Sequence, residues 1–475
     1  MARIRGAADA LPAAWSAGEI AVIGLGKSGR AVATLLRRAG ARVYVSDDGA
    51  SPALESAAAA LRAGGAEVDV GHHDLERIRR ASLVVASPGV PPEAAPLREA
   101  RNAGVAVVGE VEIGLRFLTD ARYIAVTGSN GKTTTTAIAG ALLSGLGLRA
   151  VTAGNIGTPV AELALRDDPP DWMALEMSSF QLHDTPSVAP AVGVLTNLSP
   201  NHLDRYASLE DYYADKALLF RNARAESRWV SNADDADSRR LVGGVAGEHR
   251  RFSVNGPADA YLDRPASQLV VLGRPLLPRP DFPLLGDHNV ANALAASLAV
   301  MLADRAHATT EARLAIADAL RRFRALEHRN EPVGEFGGVL WVNDSKSTSV
   351  AATLVALRGM TRPTVLLLGG RHKGEPYTAL ANEARRTVRT VLAYGESAPL
   401  IERDLGAVVP VERLGSSFPE VVQRAREVAR RGDAVLLSPA CSSYDMFNNY
   451  EERGATFKRL VEETAAMRPT APRAR

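Results

Sequence analysis

Residues 123–136 read Tyr-Ile-Ala-Val-Thr-Gly-Ser-Asn-Gly-Lys-Thr-Thr-Thr-Thr. A short apolar strand runs into a glycine turn and then a helical stretch. This is how a chain aims backbone N–H groups and a helix N-terminus at phosphate. Gly128 and Gly131 let the loop bend around Ser129 and Asn130. Lys132 has the reach to touch terminal phosphates, the Thr133 hydroxyl can ligate Mg²⁺, and Thr134 follows in the same first turn. The usual pattern places a glycine at position 126, where this chain has Val126.

A second glycine turn, Gly24-Leu25-Gly26-Lys27-Ser28-Gly29, also follows a strand and opens a helix, and Asp47 ends the next strand. That is the spacing of a dinucleotide fingerprint. It suits NAD, another nucleotide diphosphate, or a tight packing turn. Lys27 and Ser28 add donors suited to a diphosphate.

Between these turns and the C-terminus lie further groups with chemistry. Glu176 follows a buried-looking strand, where a carboxylate can hold Mg²⁺. His202 and Asp204 follow the next strand and emerge on the same sheet edge. Lys216 sits in a helical stretch and, taken alone, reads as a solvated lysine. Asn289 and Asn292 are three apart on one helix face and offer amides to an adenine edge, or simply cap the helix. Later come Arg329, then Asp344, Lys346 and Thr348 after one strand, Lys373 after the next, and Ser438 to Asp445 after the last. Cations and hydroxyls at successive strand ends suggest an anionic substrate.

These groups need elements to hold them. Short Val/Ile/Leu-rich runs alternate with Ala/Leu/Arg helical stretches, which predicts βα repeats and parallel sheets. The first block has strands from Glu19 to Gly24, Ala41 to Ser46 and Ser82 to Ala86, the last ending in Ser87-Pro88-Gly89. The second has strands from Tyr123 to Thr127, Trp172 to Leu175, Val192 to Asn197 and Trp229 to Ser231. The third has strands from Val339 to Val342, Thr364 to Leu368, Thr390 to Tyr394 and Ala434 to Leu437. A helix from about Phe418 to Arg430 takes Ser417 as its N-cap. The expected fold is α/β with three domains, 1–110, 111–325 and 326–475.

Composition agrees with a multi-domain enzyme. The 475 residues are 46% apolar and 23% charged, and 56 basic against 54 acidic residues give a net charge of +2. Such balance offers no global attraction to nucleic acid or membrane. A single cysteine, Cys441, excludes an intramolecular disulfide and a zinc cluster. With neither a signal peptide nor a membrane-spanning run, the expectation is a cytoplasmic protein, with a disordered tail at Arg468 to Arg475.

Four stretches in order resemble the Mur ligase family of ATP-dependent peptide synthetases. They are Thr-Gly-Ser-Asn-Gly-Lys-Thr (127–133), Glu-Met-Ser-Ser-Phe-Gln-Leu (176–182), Asn-His-Leu-Asp-Arg-Tyr (201–206) and Asn-Asp-Ser-Lys-Ser-Thr (343–348), with Phe447 and Arg453-Gly454 agreeing. The resemblance implies a Rossmann-like N-terminal domain, a central P-loop-type ATPase domain and a Rossmann-like C-terminal domain. It implies ATP and two Mg²⁺ ions, with UDP-N-acetylmuramoyl-L-alanine and D-glutamate as substrates, in peptidoglycan precursor synthesis by a monomer. The same chemistry with another amino acid, such as L-glutamate, is the first alternative, and an NAD-dependent oxidoreductase using Gly24–Gly29 is the second.

The implied roles follow. Gly26, Lys27, Ser28, Asp47, Ser87, Asn155 and His202 would bind the UDP sugar. The 128–134 loop, Asn289, Asn292, Arg329 and Asp344 would bind ATP. Thr133, Glu176, His202 and a carbamylated Lys216 would hold metal, and with Lys132 the last three are the catalytic set. Lys346, Thr348, Lys373, Ser443 and Tyr450 would take the glutamate. The implied reaction passes through an acyl phosphate.

Overall fold

The computed structural model describes residues 5–200, 206 and 208–466, with side chains as far as residue 463. His202, Asp204 and the 468–475 tail lie outside them. All eleven expected strands form, within two residues of their expected ends. Their central residues are mostly apolar and buried because helices cover both faces of each parallel sheet.

Three sheets result. The first is five-stranded and wholly parallel, in the order Glu67–Val70, Arg42–Asp47, Glu19–Ile23, Leu83–Ala86, Val107–Gly109. The order reverses between Glu19–Ile23 and Leu83–Ala86, so the Gly24 turn and Ser87 leave neighbouring strands at the switch point. Ligands of open α/β sheets bind there.

The second sheet has nine strands. Its parallel centre is Ala150–Gly154, Trp172–Glu176, Arg122–Thr127, Val192–Leu195 and Arg228–Asn232. Two further parallel strands, Glu248–Ser253 and Ala260–Asp263, lead to an antiparallel pair, Gln268–Val271 and Arg274–Pro278. The third sheet has six strands. Its centre is parallel, and Glu331–Phe336 runs antiparallel along Val339–Asn343 at one edge.

Contacts group the chain into two compact units. One is 1–282 with 291–322 and carries the first two sheets. The other is 283–290 with 323–475 and carries the third. The first two sheets share a unit because the linking helix Glu110–Phe117 packs on the short helix Val160–Leu163, which also packs on Lys27–Arg38. Glu112, wholly buried in the linking helix, bonds Arg116 and accepts from the backbone N–H and hydroxyl of Ser187 (2.9 and 2.7 Å). The Ser417 side chain makes no capping bond, although its helix starts at Phe418 as expected.

Candidate active site

The phosphate loop is held from outside its own turn. Gly128 has φ of 143°, and a Cβ there would strike the Thr196 hydroxyl. Only glycine fits. Thr196 Oγ1 donates to the Asn130 carbonyl (2.6 Å), and Asn197 accepts from the Ser129 and Asn130 N–H groups (2.8 and 3.0 Å). Lys132 folds back and donates to the carbonyls of Gly128 and Ser129, both at 3.0 Å. The shorter loop is thus complete without a glycine at 126, because Val126 is an interior strand residue. Across the loop, Asn292 accepts from Thr135 Oγ1 (3.1 Å).

Glu176 is the last residue of its strand, 2% exposed. Asn155 Nδ2 donates to its Oε1 (2.9 Å), while its buried Oε2 has no hydrogen-bond partner among the described residues. An orphaned, buried carboxylate oxygen beside a phosphate loop suits a cation. Among the described residues no three His, Cys, Asp or Glu cluster as a metal site by themselves. A metal here would therefore draw on other donor types.

Lys216 overturns its reading as a solvated lysine. It is 1% exposed on the helix Leu209–Ala217, with Nζ 4.6 Å from the Tyr212 ring centre. Tyr212 donates to Ser129 Oγ (3.3 Å), which ties this helix to the phosphate loop. Burial, then the charge of Lys132, push the Lys216 amine well below the usual lysine range, against the opposing pull of Asp215 and Glu176. Sequence periodicity missed this because Lys216 lies on the face toward Tyr212, not the face toward water.

Two cavities adjoin. One, about 420 Å³, is lined by Gly24, Gly26, Lys27, Ser28, Asp47 and Ser87 among others. Gly29 lets helix and strand meet here, since a Cβ would overlap the Gly24 carbonyl. Asp47 accepts from the Leu25 N–H (2.7 Å) and the Gly49 N–H (2.9 Å), so its carboxylate braces the turn as well as lining the space. Lys27 pairs with Glu162 (3.3 Å). The other cavity, about 260 Å³, shares Ser87, Pro88 and Val90 with the first and runs to Asn155 and Lys132.

In the other unit, Asp344 is wholly enclosed. It accepts from Ser438 Oγ (2.8 Å) and the Asn330 N–H (3.1 Å), and burial pushes its carboxyl up to about 6. The turn at Arg329 is strained, with His328 at φ 63° and Asn330 at φ 42°. Asn343 Nδ2 clamps that turn through His328 Nδ1 and Glu331, both at 3.0 Å. Lys373 donates to Thr348 Oγ1 (3.2 Å), and Lys346 stands 4.9 Å from the Tyr450 ring centre. Ser443 is buried. Arg453, fully buried, bonds the Ser345 and Cys441 carbonyls and so joins the two loops. Asn289 donates to the Leu285 carbonyl (2.8 Å), a local helix-start bond.

Residues 18–109 match the Mur ligase MurD-like N-terminal domain, 126–300 the Mur ligase middle domain, and 328–441 the Mur ligase glutamate ligase domain. A UDP-N-acetylmuramoylalanine--D-glutamate ligase of Acidobacterium capsulatum is 41% identical over 453 residues, covering 93% of this chain and 96% of its own. Another such ligase, from Chromobacterium violaceum, is 42% identical over 458 residues, covering 94% and 98%.

The chain belongs to the Mur ligase family.

The fold agrees. A crystal structure of MurF from Acinetobacter baumannii superposes with a TM-score of 0.61 at 16% identity, over 96% of this chain and 99% of that one. The ligase is thus an ATP-dependent peptide synthetase by family. Its α/β architecture with three sheets is the one its motifs imply.

The structure also adds residues that the sequence reading passed over. Ser178 and Gln181 form a capping box on the helix Ser179–His183, and both line the smaller cavity. The Ser-x-x-Gln spacing was a readable signal. Glu110 lines the same cavity, and no local pattern marks it.

Proposed function

We propose that this ligase joins D-glutamate to UDP-N-acetylmuramoyl-L-alanine at the expense of ATP, in building peptidoglycan precursor. The observation that carries the reading is the pair of adjoining cavities. They lead from the Gly26–Ser28 helix start to Lys132 and Asn155. A ligand with a diphosphate at one end and a reactive carboxylate at the other matches that path. The near-full-length likeness to D-glutamate ligases supports the choice of substrates.

In this reading Lys27, Ser28 and the helix N-terminus receive the diphosphate, and Asp47, Ser87 and Asn155 line the rest of the ligand. Thr133, Glu176, His202 and Lys216 would hold Mg²⁺, which supplies charge neutralisation at the phosphates. Lys216 serves as a carbamate, its neutral amine having bonded to the carbon of CO₂ and released one proton to solvent. The alanine carboxylate oxygen attacks the γ-phosphorus and the bond to ADP breaks, leaving an acyl phosphate. The glutamate amine then attacks the acyl carbon, phosphate departs, and the nitrogen loses a proton. Lys132 leaves its own loop carbonyls for the phosphoryl oxygens, where its charge does the work. Lys346, Thr348, Lys373, Ser443 and Tyr450 are assigned to the amino acid, and Asn289, Asn292, Arg329 and Asp344 to ATP.

The test is phosphate release from MgATP with each substrate omitted in turn. Release should require both UDP-N-acetylmuramoyl-L-alanine and D-glutamate, and Lys132→Ala should abolish it. Equal or better turnover with L-glutamate, lysine or diaminopimelate would replace the amino acid named here.

A further inference from the structure

Glu110 opens the linking helix Glu110–Phe117 and is 2% exposed. Its Oε1 accepts from the Ala161 N–H at 2.6 Å, and the Val160 N–H also faces the carboxyl. Its Oε2 is buried and has no hydrogen-bond partner among the described residues. Burial first, with the nearby charge of Glu162 adding, raises the carboxyl to about 7. The fold needs an acceptor at this place but not a charge. A glutamine would serve the two backbone N–H groups equally well and carry no charge to desolvate. Buried polar atoms left unmatched point to a partner that arrives later.

The place where that partner arrives is visible. Glu110 lines the smaller cavity with Asn155, Ser178 and Gln181, and Gln181 Nε2 is a second buried polar atom without a partner among the described residues. Two residues that each carry an unmatched group, of opposite hydrogen-bonding sense, thus wall one space, with the unmatched atoms just beneath its surface. That space lies between the diphosphate end and the phosphate loop. In the proposed substrate this stretch is the N-acetyl sugar with its lactyl-alanyl arm, rich in hydroxyls and amide N–H groups.

We propose that Glu110 is a substrate-binding residue. Its Oε2 accepts a hydrogen bond from a hydroxyl or amide N–H of the sugar-peptide end of the UDP ligand. The assignment rests on the substrate reading above. It makes Glu110 a discriminator between UDP alone and the full UDP sugar, because the uridine diphosphate seat lies in the neighbouring cavity. Glu110→Gln is the informative change. Its Oε1 still accepts from Ala161, and an NH₂ replaces the accepting oxygen.

The measurement is calorimetric binding of UDP-N-acetylmuramoyl-L-alanine and of UDP to the full-length wild type and to Glu110→Gln. A thermal unfolding curve accompanies each protein. The expected result is at least tenfold weaker binding of the UDP sugar by the variant, UDP binding within twofold, and no fall in Tm. Unchanged binding of both ligands, as when only water meets Oε2, overturns the proposal. So does equal weakening of both, or a lowered Tm with loss of all binding, which assigns Glu110 to the fold. A wild type that binds UDP but not the UDP sugar overturns the substrate reading itself, and the assignment of Glu110 with it.

Discussion

Lys216 shows what one residue's surroundings do to its chemistry. An exposed lysine is an ammonium at neutral pH and a poor nucleophile. Here burial and the neighbouring Lys132 push the amine well below its usual range. Folded-state affinity for the proton is weakened, so the neutral, CO₂-reactive amine gains population at physiological pH. We expect ¹³C-bicarbonate to give a carbamate resonance in the wild type that Lys216→Arg lacks. Turnover should fall at least tenfold in CO₂-free buffer and recover when bicarbonate is restored. Equal activity in both buffers, with no resonance, would remove the carbamate. Little of this was legible in residue types. Glycines with positive φ, such as Gly128, announce themselves in the sequence. The burial of Lys216 and the unmatched oxygen of Glu176 depend on packing between distant strands and helices.

At the scale of elements, the clamp between the linking helix and Val160–Leu163 trades stability for a polar group held ready. Glu110 is raised to about 7 in the folded chain, from 4.5 in a free glutamate. Between those values the folded state binds more protons than the unfolded one. Stability from this group is therefore present at low pH and lost as pH rises to about 7. At about 1.4 kcal/mol per unit, the ionised form costs about 3 kcal/mol above neutrality. Glu110→Gln should gain about 2 kcal/mol in stability relative to wild type between pH 5 and pH 8, read from urea unfolding of both proteins at the two values. A variant equally stable relative to wild type at both pH values would mean that Glu110 is not desolvated. The strands were legible here because apolar runs of four to six residues report two-sided burial directly. The antiparallel extension of the second sheet, Gln268–Val271 and Arg274–Pro278, was not, since its Arg and Pro residues read as loop. Nor was the helix Val160–Leu163, four residues long, whose role comes from Glu110 rather than from its own period.

At the scale of the molecule, contacts place the first two sheets in one compact unit and the third in another. That grouping has a thermodynamic consequence. Each unit has its own buried core, the third sheet resting on clusters around Leu366 and Leu367. The first two sheets are joined by helices that bury Val160, Ala161 and Ile113. Units with separate cores are expected to melt as separate cooperative transitions. A ligand stabilises only the state that binds it, by about 2.7 kcal/mol at a hundredfold excess over Kd. Every residue assigned to the UDP ligand in the described chain lies within the first unit. Saturating UDP-N-acetylmuramoyl-L-alanine without nucleotide should therefore raise one calorimetric transition by a few degrees and leave the other in place. That same transition should carry the fluorescence change of Trp15, Trp172 and Trp229, which belong to the first unit, seen with Trp341 of the third sheet replaced by phenylalanine. A single transition that rises as a whole would show that the units unfold as one cooperative body. A shift confined to the transition lacking the Trp15, Trp172 and Trp229 signal would place the UDP ligand on the third sheet, against the reading of both cavities.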